Sequence, residues 1–127
     1  MWRVAGTNTH QDHVIAHVIG ASPLGHFVWD ETAYFLLDIG FIWNIYLDGE
    51  MGLLPEPMVM AELKDQVGPE DFENVTRSVP NPNPSPIQSV EFFEDDDARL
   101  LVLNCENGTV TLETSFLTRQ IQIQHKE

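Results

Sequence analysis

The sequence predicts an α+β fold: a single domain over residues 1–127 that is mainly antiparallel sheet with two short central helices. Three observations lead to this prediction. Apolar and polar residues alternate along the C-terminal third, an aromatic-rich segment precedes Asp48-Gly49, and two prolines in the middle stand where helices would begin. Alternation is typical of strands with one buried face, and proline suits the first helical turn because its missing N–H has no partner there.

The first 30 residues leave helix and strand open. The run Val14–Ile19 is rich in β-branched residues, which favours a strand. In a strand, His13 and His17 would lie about 13 Å apart, whereas on a helix they would share a face. The segment Gly20–Gly25 contains two glycines and a proline and predicts a turn.

A buried strand is predicted over Ala33–Leu37, because the surrounding aromatics and Gly40 disfavour a helix. Phe41–Leu47 predicts a second strand. Asp48-Gly49 then matches the residue pair preferred in two-residue hairpin turns, so Glu50–Leu54 should return antiparallel to it.

Two short helices are predicted over Pro57–Gln66 and Pro69–Arg77, with Gly68 ending the first. The following segment, Pro80–Pro86, alternates proline with other residues and lacks an amide hydrogen at every proline. It therefore predicts a stiff extended connector between two β-rich halves of the domain.

The C-terminal third predicts an antiparallel meander of strands over Ile87–Phe93, Arg99–Glu106, Thr109–Phe116 and Ile121–Gln124. If Asn107-Gly108 forms a type I′ turn, Glu106 opposes Thr109 and Leu103 opposes Leu112. One face then carries the residues expected in the core: Leu101, Leu103, Cys105, Val110, Leu112 and Phe116.

The chain is strongly acidic, with 20 Asp and Glu against 6 Lys and Arg and a formal net charge of −14. No lysine or arginine occurs between Val4 and Leu63. Nucleic acid and anionic membrane surfaces are therefore excluded as partners, because both require clustered cations. The acid run Glu94–Asp97 lacks the alternating ligand spacing of a calcium loop and predicts a solvated turn.

Cys105 is the only cysteine, so no internal disulfide can form. The N-terminal residues lack the apolar run of a signal peptide, and the most apolar segment is too short and polar to span a bilayer. We expect a cytoplasmic protein.

The predicted function is non-catalytic binding of a protein partner with a basic surface. The sequence contains no nucleophile elbow, phosphate-binding loop or dinucleotide fingerprint, so no catalytic residue is assigned and no cofactor is expected. Excess negative charge accelerates encounters with basic partners. In this property the chain is similar to bacterial immunity proteins, small acidic inhibitors of basic toxins. A homodimer is a variant of this hypothesis, because Gln120–Gln124 could form an exposed edge strand.

A metal-binding protein or metal-dependent hydrolase is the first alternative. Four of the five histidines lie in the stretch without lysine or arginine. Imidazole and carboxylate groups bind zinc, and His13 and His17 would share a helix face. The candidate zinc ligands are His10, Asp12, His13 and His17.

A small-molecule binder with an aromatic pocket is the second alternative. Ligand pockets combine apolar and aromatic walls with a few convergent polar groups. The aromatic segment supplies both kinds of residue. Its candidate binding residues are Tyr34, Asp38, Trp43, Asn44 and Tyr46.

Overall fold

The computed structural model describes residues 1–46 and 51–126. Within these two ranges the chain forms ten strands and three helices. In chain order these are β1 (Arg3–Val4), α1 (Thr9–Val18), β2 (Pro23–Trp29), β3 (Thr32–Leu37), β4 (Phe41–Tyr46), β5 (Leu54–Pro55), α2 (Glu56–Val67), α3 (Pro69–Val75), β6 (Val79–Pro80), β7 (Ile87–Asp95), β8 (Ala98–Cys105), β9 (Gly108–Ser115) and β10 (Ile121–Lys126).

The strands form two five-stranded sheets in which every pairing is antiparallel. Sheet A has the order β1-β7-β8-β9-β10, and sheet B has the order β5-β4-β3-β2-β6. The predicted α+β class with antiparallel sheet is confirmed, as is the C-terminal meander β7 to β10. None of the described helices is long and apolar enough to cross a membrane.

The main core lies between the two sheets. Alternate residues of β3 and β4, such as Phe35 and Trp43, pack against alternate residues of β8 and β9, such as Leu103 and Leu112. Val18 of α1 joins the same core and is fully buried. This core therefore contains residues from both sides of the Pro80–Pro86 connector.

A second core covers the opposite face of sheet B. Tyr34 and Ile42 pack there against Val59 and Leu63 of α2, and Phe72 of α3 lies at its edge. The molecule thus has three layers: sheet A, sheet B and a layer formed by α2 and α3. We call this last layer the helical layer.

The two central helices match their predictions closely. Helix α2 is one residue longer at each end than expected, and α3 begins at Pro69 as expected but ends at Val75. Gly68 separates them with φ 81°, a conformation that glycine adopts without steric cost.

The register predicted for the β8–β9 hairpin is wrong by two residues. Cys105 pairs with Gly108, and Leu103 pairs with Val110, so the turn consists of Glu106 and Asn107. Neither Asn107 nor Gly108 has a positive φ. A shift of two residues keeps every side chain on its predicted face, because strand side chains alternate with period two.

The connector accounts for this shift. The amide of Glu106 donates to the carbonyl of Pro86 at 2.9 Å, and the amide of Asn107 donates to Ser85 Oγ at 3.0 Å. The connector thus accepts hydrogen bonds from the amides of both turn residues. These hydrogen bonds override the preference of Asn107-Gly108 for a type I′ turn. Phe116 lies beyond β9 and is exposed, against the prediction that it joins the core.

The choice left open for the first 30 residues is resolved as helix over Thr9–Val18, which form α1, although the β-branched residues of Val14–Ile19 favour a strand. Asn8 and Gln11 form a reciprocal capping box, in which each side chain accepts from the other's backbone amide. The cap satisfies two amides at the helix start, and burial of Val14 and Val18 outweighs the low helix propensity of β-branched residues.

The turn predicted over Gly20–Gly25 is wrong in its second half, where β2 begins at Pro23. β6 pairs with β2 at this point, with Pro80 opposite Gly25. A Cβ at Gly25 would lie 2.9 Å from the Val79 carbonyl oxygen, so the close approach of the two strands requires glycine.

The Asp48-Gly49 turn lies outside the described residues. The chain on either side of it does return antiparallel, since Ile45 opposes Met51 and Ile42 opposes Leu54. The antiparallel return is confirmed, but the paired flanks have a register one residue away from that of a two-residue turn at Asp48-Gly49.

Candidate binding site

Three of the five predicted binding residues come together on the face of sheet B that meets the helical layer. Tyr34 of β3 pairs directly with Asn44 of β4, and Tyr46 lies two residues further along β4. Period-two alternation places all three on the same face as Ile42, which is fully buried under α2.

The other two predicted binding residues lie elsewhere. Trp43 points to the opposite face, where it is fully buried between the sheets with its ring centroid 6.2 Å from that of Phe35. Asp38 is exposed in the turn after β3, and its Oδ1 accepts from the amide of Ser22 at 2.9 Å. The structure therefore groups Tyr34, Asn44 and Tyr46 without Asp38 or Trp43.

The grouped residues line a cavity of about 200 Å³ between sheet B and α2, which we call the Tyr34 pocket. Its walls combine aromatic and aliphatic side chains with a polar rim. The lining residues are Trp29, Asp30, Thr32, Tyr34, Asn44, Tyr46, Leu54, Val59, Glu62, Leu63 and Gln66.

Asn44 is the most constrained polar group of this pocket. It is only 4% exposed, and its Nδ2 donates to the Tyr46 hydroxyl at 2.8 Å. Its Oδ1 is buried and accepts no hydrogen bond from the part of the chain that the structure describes. A buried acceptor without a donor costs free energy, so an N–H or O–H group that reached this atom would remove that cost.

Asn44 also lines a larger neighbouring cleft of about 430 Å³, together with His10, Met51 and Gly52. A Cβ at Gly52 would overlap Asn44 Oδ1, so glycine at this position leaves the acceptor its space. Tyr46 borders both cavities. The Asn44–Tyr46 hydrogen bond therefore lies at their common boundary.

The electrostatic environment of the pocket is negative. Burial raises the pKa of the Tyr34 hydroxyl above its usual value, and the neighbouring Tyr46, Asp30 and Glu62 raise it further, against the opposing effect of its hydrogen bond with Thr32. Tyr34 is thus neutral at physiological pH. Burial disfavours charge of either sign, whereas the nearby Asp30 and Glu62 disfavour negative charge specifically.

The helical layer next to the pocket carries most of its charge as carboxylates. Lys64 is the one cation within α2 and α3. Six exposed acidic side chains accompany it: Glu56, Glu62, Asp65, Glu70, Asp71 and Glu73. None of these six forms an ion pair with a described residue.

The acid run at the β7–β8 turn differs in this respect. Asp95 Oδ2 lies 3.3 Å from the N-terminal ammonium group, and Asp96 lies 3.2 Å from the Arg3 guanidinium. Across the molecule, Glu31 pairs with Arg119. Three carboxylates outside the helical layer, Glu31, Asp95 and Asp96, therefore have a cationic partner.

The four candidate zinc ligands lie along α1, from its first turn to its last. His13 and His17 are exposed one turn apart, Asp12 accepts from the Thr7 hydroxyl, and His10 Nε2 lies 3.1 Å from the Met51 carbonyl oxygen. Within residues 1–46 and 51–126, no group of three or more His, Cys, Asp or Glu side chains is arranged to hold a metal ion. The zinc hypothesis therefore rests on sequence alone.

A histidine pair between the sheets was not expected from sequence. His26 of β2 and His125 of β10 stack with ring centroids 5.2 Å apart, and His125 Nε2 lies 3.3 Å from His26 Nδ1. Burial lowers the pKa of both side chains, and their mutual repulsion lowers that of His26 further. No sequence signal links two residues 99 positions apart.

Cys105 shares a cavity of about 210 Å³ with His125 beside the connector. The thiol packs against the main core, and burial raises its pKa. A raised pKa keeps sulfur protonated and weakly nucleophilic, which disfavours thiol catalysis at this position.

Comparison with protein-family models, with curated proteins and with solved structures finds no match to this chain. The functional argument therefore rests on the residues and geometry of the chain itself.

Proposed function

We propose that this protein is a non-catalytic binding module whose helical layer docks a protein partner with a basic surface. The observation that carries the proposal is the set of six exposed carboxylates on α2 and α3 that have no ion-pair partner among the described residues. Unpaired charge of one sign on one face favours a partner of the opposite sign and steers its approach.

The proposal includes a reducing, cytoplasmic setting. It is supported by the use of cysteine, since Cys105 is unpaired and packs against the core as a small apolar side chain.

The proposal is tested with a fluorescent peptide in which arginine alternates with serine. Its affinity is measured for the parent protein and for two variants, Asp65→Lys/Glu73→Lys on the helical layer and Glu106→Lys/Glu113→Lys on sheet A. All four residues are exposed, and both variants exchange two carboxylates for two ammonium groups, so they carry the same net charge. The variants therefore differ only in which surface they alter.

We expect the helical-layer variant to bind the peptide about tenfold more weakly than the sheet A variant, because Coulomb interactions between exposed groups decay within a Debye length of roughly 10 Å. Binding by the parent protein should also weaken steeply between about 20 mM and about 300 mM NaCl. Equal losses in both variants, or binding that does not respond to salt, would contradict the proposal.

A second copy of the chain is a second candidate partner, supported by the position of β10. This strand is an edge of sheet A, and its outer backbone groups are not paired within the described chain. Open edges invite pairing with another strand. Sedimentation at two protein concentrations tests this candidate: a concentration-dependent dimer supports it, and a monomer at both concentrations removes it.

A further inference from the structure

We infer that the Tyr34 pocket binds the guanidinium group of an arginine side chain presented by the basic partner. This inference rests on the proposed function, since it names the side chain that the acidic face recognises. Three features of the site support it: a buried acceptor at the edge of the pocket that no described residue satisfies, a carboxylate rim and accessible aromatic rings.

The buried acceptor is Asn44 Oδ1. Asn44 Nδ2 donates to Tyr46, and no described residue donates to Oδ1, which lies beside Gly52 where the Tyr34 pocket meets the neighbouring cleft. An N–H donor that reached this atom would remove the free-energy cost of leaving it unpaired. Because Asn44 Oδ1 is a hydrogen-bond acceptor, its preferred ligand carries a hydrogen-bond donor and is not a carboxylate or a phosphate.

The rim supplies the charge. Glu62 of α2 and Asp30 of the β2–β3 turn both line the pocket and are exposed, and neither forms an ion pair with a described residue. Both act electrostatically on the Tyr34 hydroxyl, which places their charges close to the pocket interior. A cation entering the pocket would therefore be attracted by both carboxylates.

The aromatic rings supply a stacking surface. One face of the Tyr34 ring is already occupied by Phe27, with ring centroids 4.8 Å apart and an interplanar angle of 15°. Trp29 is partly exposed and Tyr46 is 40% exposed, so both rings present accessible surface to the pocket. Cations over aromatic faces are attracted by the negative ring quadrupole.

Arginine fits these features better than lysine does. A guanidinium group is planar, stacks on aromatic rings and carries five donors, whereas an ammonium group is compact and strongly hydrated. The cavity volume of about 200 Å³ suits one side chain. Pockets for whole drug-sized ligands are larger, roughly 300–1,000 Å³.

The test compares the alternating arginine–serine peptide with the same peptide carrying lysine at each arginine position. Affinities for both are measured with the parent protein, with Glu62→Gln and with Glu73→Gln. The two variants make the same chemical change on exposed residues of the helical layer, but only Glu62 lines the pocket. Tyr46→Leu serves as a second pocket variant that leaves every charge in place.

We expect the parent protein to prefer the arginine peptide by about fivefold, since a charge-assisted hydrogen bond and a stacking contact are available only to guanidinium. The preference should be lost in Glu62→Gln and Tyr46→Leu and kept in Glu73→Gln. Equal affinity for the two peptides in the parent protein, or an arginine preference that survives both pocket variants, would overturn the inference.

Failure of this inference is distinguishable from failure of the proposed function. If Asp65→Lys/Glu73→Lys weakens binding of both peptides but no arginine preference exists, the helical layer docks basic partners without a specific arginine pocket. If that double variant has no greater effect than its sheet A control, the proposed function itself is wrong.

Discussion

The contact between His26 and His125 joins the two sheets through side chains that are neutral in the folded protein. With His125 Nε2 3.3 Å from His26 Nδ1, one proton can lie between the rings, and a second would bring two positive charges together. The pair thus couples the packing of β2 against β10 to pH.

We predict that the free energy of unfolding falls as pH decreases through this pair's titration. The folded-state pKa values lie below the ordinary value of 6.5, so the unfolded chain binds protons first. The stabilisation is therefore fully present above about pH 6.5 and is lost as pH falls toward the folded-state values. Urea unfolding at about pH 7.5 and about pH 5.5 measures the loss.

The control for this experiment is His13→Gln, which alters an exposed histidine on α1. His125→Gln should reduce the stability difference between the two pH values, and His13→Gln should leave it unchanged. An unchanged difference in His125→Gln would show that the pair does not cause it.

Thr114 provides a second prediction at this scale. It is 2% exposed, and its Oγ1 is buried without a hydrogen-bond partner in the described chain. Thr114→Val preserves shape and removes the unsatisfied hydroxyl, so we expect the free energy of unfolding to rise by about 1 kcal/mol. Chemical denaturation measures this change, with Thr111→Val as the control on the outer face of β9. A loss of stability in Thr114→Val would mean that the hydroxyl has a bound partner.

At the scale of elements, the turns show where local sequence rules hold and where they do not. The β2–β3 turn consists of Asp30 and Glu31, with φ 49° and φ 60°. Positive φ at both turn residues is the requirement of a type I′ hairpin, here met without asparagine or glycine. Asn107-Gly108 has the preferred residues but does not form that turn, because Ser85 and Pro86 hold the adjacent amides.

We predict that Glu31→Gly raises the free energy of unfolding by about 0.5–1 kcal/mol. Glycine removes the steric cost of the left-handed conformation, which exceeds the entropy that it adds to the unfolded chain. The exposed Glu31–Arg119 ion pair is worth less than this gain. Glu106→Gly is the matched control: Glu106 also occupies a two-residue hairpin turn, but its φ is not positive, so its substitution should be destabilising.

Thermal unfolding of Glu31→Gly and Glu106→Gly tests whether positive φ at Glu31 costs stability. If the two glycine variants shifted the unfolding temperature in the same direction, the conformational argument would fail.

The sequence predicted most of the strands and both central helices, because each depends on short-range periodicity and on proline positions. It left α1 undecided between helix and strand, although Asn8 followed three residues later by Gln11 is a recognisable capping signal. It identified Tyr34, Asn44 and Tyr46 but not the rest of their pocket. Glu62 and Gln66 come from α2, and only the packing of that helix on sheet B brings them to the site.

At the scale of the whole molecule, the structure consists of three packed layers. Sheet A and sheet B enclose the main core, and α2 and α3 cover the other face of sheet B. Carboxylates near β1 and β10 have local cationic partners such as Arg3 and Arg119, whereas those of the helical layer have none among described residues. With six carboxylates and one lysine, the helical layer is a strongly acidic surface.

The most direct test of this account is to locate the bound peptide by amide chemical-shift mapping. The isotope-labelled protein is titrated with the alternating arginine–serine peptide at low salt. We predict that the largest shifts fall in α2, α3 and the residues lining the Tyr34 pocket, including the Trp29 indole N–H. Shifts concentrated on the outer face of sheet A, or spread evenly over all acidic surfaces, would contradict the claim that the helical layer is the binding surface.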